Sequence, residues 1–383
     1  MRPIYLDYNA TTPVDQRVVD AMLPYFTTSY GNSASIDHLY GYEAQQAVES
    51  ARDQVAALIG AKPEEITFTS GATEADNIAI LGTLACADDE AELIVSAIEH
   101  PAVLEPATRF GKRLHIAPVS VDGIVDPPEI KRRITNKTAL VSVMAANNET
   151  GAIQPIAEIG QICAEAEVPF HCDAVQAAAR INLDVNDAQI ALLSISAHKI
   201  NGPKGVGALY LRRRGKRMKV APLHYGGGHE RNLRPGTVNV PGIVGFGVAA
   251  QLARQGRRRE ATHERRLKEQ LISALRSIGE VELNTPVASS LPQTVSARIA
   301  GVGARALMHA TRDELAFSSG SACTTTKVEP SHALLAQGIS AQAANESVRL
   351  SFGRFTTEQE IAHAATVLAQ ATENLRSIAA RAT

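Results

Sequence analysis

The chain has no run of roughly 20 apolar residues of the kind that spans a bilayer, although 45% of its 383 residues are hydrophobic. That excludes a helical membrane protein and leaves an ordinary globular composition. Cysteine is scarce. The four residues Cys86, Cys163, Cys172 and Cys323 are irregularly spaced, so neither a disulfide framework nor a zinc knuckle is expected, and no metal site follows. An excess of one charge is also lacking, since 38 Lys and Arg against 40 Asp and Glu leave a formal net charge of −2. This argues against direct nucleic-acid binding. Two basic runs stand out locally, Arg212-Arg213-Arg214-Gly215-Lys216-Arg217 and Arg257-Arg258-Arg259. They read first as solvated faces and second as a partner surface. No internal repeat or low-complexity segment occurs, apart from Ala-rich helices.

A chain of this length exceeds one hydrophobic core, so two domains are expected. Apolar strands recur at 65–69, 93–96, 139–144, 168–172, 190–194 and 206–211, with amphipathic helices between them. One such helix covers 45–59, with Val48, Ala51, Val55 and Leu58 on one face. Alternation of this kind builds a mostly parallel sheet covered by helices. A long helix is expected over about 243–278. Strands at 280–283, 294–298 and 347–351 then suggest a smaller α+β domain.

The segment Ser194-Ile195-Ser196-Ala197-His198-Lys199 carries the most chemistry. A lysine held at the end of a buried strand is partly desolvated, which favours its neutral, nucleophilic amine. Such amines form Schiff bases with aldehydes, and pyridoxal phosphate is the commonest such aldehyde in enzymes. Ser196 and His198 are placed to donate to its phosphate. A phosphate cradle is expected where the strand ending in Thr69 turns through Ser70, Gly71, Ala72 and Thr73 into a helix, because free N–H groups gather there. A plain capped turn explains those residues as well. Asp173 ends an apolar strand and is a candidate partner for the pyridine nitrogen, with Gln176 in reach of the ring hydroxyl. Capping of the next helix is its competing role. His100 follows another strand and is a candidate to stack on the ring. Ser318-Ser319-Gly320-Ser321-Ala322-Cys323-Thr324 places a thiol among small polar residues, where it is accessible and its pKa can be lowered. Cys163 and Cys172 sit in apolar runs instead.

Together these segments resemble the cysteine desulfurases, pyridoxal phosphate enzymes of aminotransferase fold type I. The likeness runs from Tyr5-Leu6-Asp7-Tyr8-Asn9-Ala10-Thr11-Thr12-Pro13 to Ser347-Val348-Arg349-Leu350-Ser351-Phe352-Gly353-Arg354. It includes Asn147-Asn148-Glu149-Thr150-Gly151 and Gly226-Gly227-Gly228-His229-Glu230. The cysteine segment is similar to that of the first subgroup, the nitrogenase-type and housekeeping iron–sulfur desulfurases. The resemblance implies an α/β fold with a large domain, 14–255, holding a mostly parallel seven-stranded sheet. A smaller α+β domain, 1–13 and 256–383, would carry the cysteine segment.

It further implies that Lys199 holds the cofactor and moves the substrate's α-proton, while His100 stacks on the ring and moves the thiol proton. Cys323 attacks the sulfur of L-cysteine, giving a Cys323 persulfide and L-alanine. Asp173 and Gln176 contact the ring, and Ala72, Thr73, Ser196 and His198 hold the phosphate. Arg349, Asn148 and Asn32 bind the substrate. Thr237, matched to a threonine supplied by the second subunit, implies a homodimer. A sulfur-acceptor protein is implied as partner, in iron–sulfur assembly, tRNA thiolation or DNA phosphorothioate modification. A cytoplasmic location is expected, since the family motif starts within five residues of Met1 and leaves no room for a signal peptide. Two departures are visible. Ser33 stands where the family usually has proline, which loosens a loop. The chain also stops soon after Leu375, without the apolar-aromatic tail of the housekeeping enzymes, so their standard scaffold partner is not expected. A transaminase or selenocysteine lyase on the same fold stays open, as does a non-catalytic sulfur-relay protein.

Overall fold

Seven short runs, six of them largely apolar, become one sheet in the computed structural model, which describes residues 2–214, 218–319 and 329–382. They are β1 (Ile66–Thr69), β2 (Glu92–Ser96), β3 (Leu114–Ala117), β4 (Thr138–Ser142), β5 (Phe170–Asp173), β6 (Leu192–Ser196) and β7 (Gly207–Leu211). Their order is β1-β7-β6-β5-β4-β2-β3. Only β7 runs against its neighbours. Side chains alternate between two cores: Val141, Leu193 and Ile195 face one, Leu140 and Leu192 the other. Helices cover both faces, as parallel strands require. Among these helices are α1 (Leu39–Leu58) and α2 (Ala72–Leu84).

β3 was not expected from the sequence. It is a four-residue edge strand with only Ala117 buried, and it carries a polar His115. The helix expected over 45–59 starts earlier, where the His38 ring accepts from Gly41 N at 3.2 Å and caps α1.

A second, antiparallel sheet joins Ser318–Ser319, β10 (Ser347–Ser351), β9 (Thr294–Ile299) and β8 (Val281–Leu283) in that order. Its separate core includes Leu271, Val295, Leu350 and Ile361. Helix α4 (Glu358–Ala382) packs there. The chain's opening strand Ile4–Tyr5 pairs with Leu315–Ala316 beside it. Helix α3 (Val240–Ser277) joins the two cores. Phe246, Ala250 and Ala253 serve the first, Leu267, Leu271 and Leu275 the second. The junction between them is ionic. Arg354 reaches Asp15 and Glu260 at 3.1 Å each, and Arg180 reaches Glu264 at 3.2 Å. Burial pushes Glu264 up to about 7. Desolvation of such buried charges offsets much of what their pairing returns, so the network is weak evidence for stability.

The basic runs are partly structural. Arg257 donates to the carbonyls of Leu58 and Ala178, and Arg212 to that of Val185. Neither is therefore a free surface charge, which weakens the partner-surface reading of these segments. No helix among the described residues is long and apolar enough to cross a membrane.

Candidate active site

The C-terminal ends of the parallel strands surround a cavity of about 490 Å³, the usual place for a ligand in such sheets. Lys199, His198, Ser196, Asp173, Gln176, His100, Ala72, Thr73, Asn148 and Arg349 all line it. They come from separate strand ends and turns: Ser196, His198 and Lys199 from one, Asp173 and Gln176 from another, Ala72 and Thr73 from a third, with His100, Asn148 and Arg349 each from its own.

Lys199 closes a single turn after β6. Its Nζ donates to the carbonyl of Asn9, and to that of Ala10 at 2.8 Å. The N-terminal segment is fastened to the same turn, with Thr12 Oγ1 donating to His198 O at 2.8 Å. Burial, then Lys199 and Lys204, push His198 down to about 4. The ring is therefore neutral near pH 7, and one nitrogen still carries a proton to donate.

Helix α2 opens at Ala72 with its N-terminus on the cavity. A Cβ added at Gly71 would meet no described atom within 4 Å, and its φ of 161° is ordinary extended backbone. Neither the described packing nor strain asks for glycine there, and the open backbone suits close approach of a ligand. Glu74 Oε2 accepts from Ser70 N, and Glu74 Oε1 accepts from Arg234 Nε at 3.1 Å.

Asp173 Oδ1 accepts from Val175 N at 2.9 Å. Burial, and then the neighbouring Asp76, hold its carboxyl well above the usual range. A cation against it would restore an ionised carboxylate. Gln176 Nε2 donates to Asn9 O at 3.0 Å. His100 Nδ1 accepts from Ala102 N at 3.1 Å, capping the next helix. Burial lowers its pKa. The neutral ring must then carry its proton on Nε2.

Arg349 is pinned from two sides. Its guanidinium donates to Asp7 Oδ1 at 2.6 Å and to the Asn148 carbonyl at 3.0 Å. Its Nε is buried without an acceptor among the described residues. Asn148 thus supports Arg349 through its backbone, while the residue also lines the cavity.

Two expected residues are not brought here within one chain. Asn32 lies on an exposed loop, where its side chain accepts from Ala34 N at 3.0 Å. Thr237 lines a more open neighbouring cavity that shares Ser70 and Thr73 with the first. The loop before Thr237 is held by Glu230, which accepts two 2.8 Å bonds from Arg52 and one from Phe68 N. That pairing offsets the strain of three successive left-handed residues, Glu230, Arg231 and Asn232. Cys323 falls outside the described residues. The other thiols are clear: burial pushes Cys163 up to about 12 and Cys172 well above its ordinary value, while Cys86 is exposed.

Sequence reasoning missed Asp76, Asp7, Glu99 and the Asn9–Thr11 segment. Asp76 lines the cavity with neither carboxylate oxygen hydrogen-bonded among the described residues, and one of them lies 3.5 Å from Nε2 of the buried His171. A carboxylate within the apolar face made by Ala75, Ile78 and Ala79 was the available signal.

Glu99 is fully buried, and burial pushes it up to about 8. Its Oε1 accepts from Ser96 Oγ and from Met144 N at 2.8 Å. The folded chain therefore holds a proton there that the unfolded chain releases above about 4.5. Wild-type stability should fall, relative to Glu99→Gln, as pH rises from about 4.5 to about 8. Denaturant melts of both proteins across that window check this, and a pH-independent difference would contradict it.

Residues 4–363 match the aminotransferase class-V family. The chain is 47% identical to the cysteine desulfurase IscS of Anaeromyxobacter sp. (strain Fw109-5), over 98% of this chain and 94% of that protein. Among solved structures, a NifS-like protein superposes with a TM-score of 0.89 at 36% identity, covering 98% of this chain and 99% of that one. SspA, solved in complex with cysteine, gives a TM-score of 0.80 at 32% identity, covering 93% and 100%. The chain belongs to the aminotransferase class-V family, among its cysteine desulfurases.

Proposed function

We propose that this chain converts L-cysteine to L-alanine with pyridoxal phosphate, taking the sulfur on Cys323 as a persulfide for delivery to an acceptor protein. The observation that carries this reading is the convergence of Lys199, Asp173 and Arg349 on one cavity at the strand ends. The residues fit the cofactor. The α2 N-terminus, Thr73, Ser196 and neutral His198 suit a phosphate, the open backbone at Gly71 admits it, and the positive nitrogen of a protonated pyridine would offset the burial and the Asp76 charge that raise the Asp173 pKa. We take 14–255 as the part that holds it. When bound, pyridoxal phosphate supplies an aldehyde for Lys199 and a ring that accepts the electron pair from the substrate's α-carbon.

The chain's own residues do the rest. Arg349 binds the substrate carboxylate, the geometry its planar fork suits. Lys199 Nζ takes the α-proton. His100, with its proton on Nε2, stacks on the ring and donates rather than accepts at that nitrogen. The Cys323 thiolate attacks the substrate sulfur, an S–S bond forms as the sulfur–Cβ bond breaks, and Cβ takes up a proton. Thiol plus cysteine gives persulfide plus alanine with no outside oxidant.

A second copy of this chain would complete the phosphate site with Thr237. Leu23, Phe26, Tyr30, Ile36, Leu39 and Tyr40 are all about half exposed or more, apolar surface of the kind that subunits cover. We place the homodimer contact there and the protein in the cytoplasm.

Product analysis tests the function. Incubation with L-cysteine and a thiol reductant should yield L-alanine and sulfide in equal amounts, with no 2-oxo acid, from a species twice the 40.7 kDa chain in sedimentation. Amino-group transfer to a 2-oxo acid would indicate a transaminase, and no alanine would leave a sulfur-relay protein. A marked preference for selenocysteine would indicate the lyase.

A further inference from the structure

The arginine assigned to the substrate carboxylate is already paired. Arg349 is 2% exposed at its side chain, and Asp7 Oδ1 accepts from its Nη2 at 2.6 Å. Arg349 lines the cavity and Asp7 does not, so the acid backs the guanidinium from outside the site. Its position is set by backbone, not by side-chain choice. Ser351 N donates to Leu6 O at 2.8 Å, Tyr8 N donates to Ser351 O at 3.2 Å, and Asp7 bridges to Ser351 in the parallel sense. Residue 351 is two along from Arg349 on β10, so the ladder fixes both partners of the pair together. The Tyr5 hydroxyl donates to Asp7 O and Thr11 O at 3.0 Å each, holding the same turn.

A buried guanidinium without a counter-charge is costly, and it attracts any available anion strongly. L-Cysteine and L-alanine both present the same carboxylate to it. An arginine that held the carboxylate at full strength would hold product as firmly as substrate, which gains nothing in the chemical step. We propose that Asp7 is the resident counter-ion of Arg349 and weakens its grip on the amino-acid carboxylate, so that product leaves readily. This rests on the desulfurase reading of the site.

The test compares wild-type holoenzyme with Asp7→Asn and Asp7→Ser. Asparagine keeps the shape and removes the charge, and Arg349 keeps its bond to the Asn148 carbonyl at 3.0 Å. Calorimetric titration with L-alanine should show binding roughly tenfold tighter in both variants, the low end of the couplings found between close charge pairs. The KM for L-cysteine should fall in parallel. Cysteamine, which lacks the carboxylate, should bind all three proteins alike. L-Alanine affinity that is unchanged or weaker in the variants overturns the proposal, as does an equal shift for cysteamine. Failure of both variants to fold or keep cofactor overturns it too, because Asp7 would then be a structural residue. Absence of alanine production by the wild type would instead remove the desulfurase reading itself.

Discussion

Replacement of Lys199 by alanine is expected to abolish conversion of L-cysteine to L-alanine, by about three orders of magnitude or more, because the side chain serves as both covalent anchor and proton carrier. The change leaves the phosphate end of the cavity intact. Neither Ser196 nor the start of α2 hydrogen-bonds the lysine amine, whose described partners are the Asn9 and Ala10 carbonyls, and losing its charge removes one of the influences that keep His198 neutral while burial remains. Cofactor should therefore still bind, but only reversibly. Borohydride reduction should fix pyridoxal phosphate to the Lys199 peptide of the wild type and to no peptide of the variant. Wild-type turnover in Lys199→Ala, or a borohydride adduct on Lys204 at the same cavity, would assign the chemistry to another lysine.

Cys323→Ser is expected to separate the two halves of the reaction. Cofactor attachment and L-cysteine binding should persist, since Lys199, Asp173 and Arg349 are untouched. Sulfur transfer should fall by about two orders of magnitude or more, because a serine hydroxyl without an activating base is a poor nucleophile at sulfur. The remaining thiols offer no substitute. Burial disfavours the thiolates of Cys163 and Cys172, and Cys86 follows α2 at an exposed position outside the cavity lining. Single replacements of these three should leave transfer intact. Transfer surviving in Cys323→Ser but lost in Cys86→Ser would relocate the acceptor thiol.

Much of the site was legible because its residues sit at strand ends marked by local pattern. Asp173 follows Phe170-His171-Cys172, Lys199 follows Ser194-Ile195-Ser196, and Thr73 follows Ile66-Thr67-Phe68-Thr69. A buried strand that stops at a polar residue points that residue toward the ligand edge of the sheet. Three strands of the second sheet were legible from their apolar pattern, with 347–351 placed to the residue, whereas Ser318–Ser319, read as part of a polar cysteine segment, was not foreseen as its fourth strand. What could not be read depends on contacts between distant segments. Nothing local in Tyr5-Leu6-Asp7 announces an ion pair with Arg349, 342 residues away. The buried carboxylate of Asp76 beside His171 is visible only once α2 lies over β5. β3 escaped because an edge strand need not be apolar. Thr237 and Asn32 illustrate a different limit. Their assignment came from family likeness, and a single chain holds both outside the main cavity.

The central claim, sulfur capture on Cys323, is tested most directly by mass spectrometry of holoenzyme after one equivalent of L-cysteine without reductant. The account predicts one added sulfur atom on the peptide containing Cys323, in proportion to L-alanine formed, and unmodified peptides for Cys86, Cys163 and Cys172. L-Alanine formed with Cys323 unmodified, or with the sulfur on one of the other three cysteines, would contradict it.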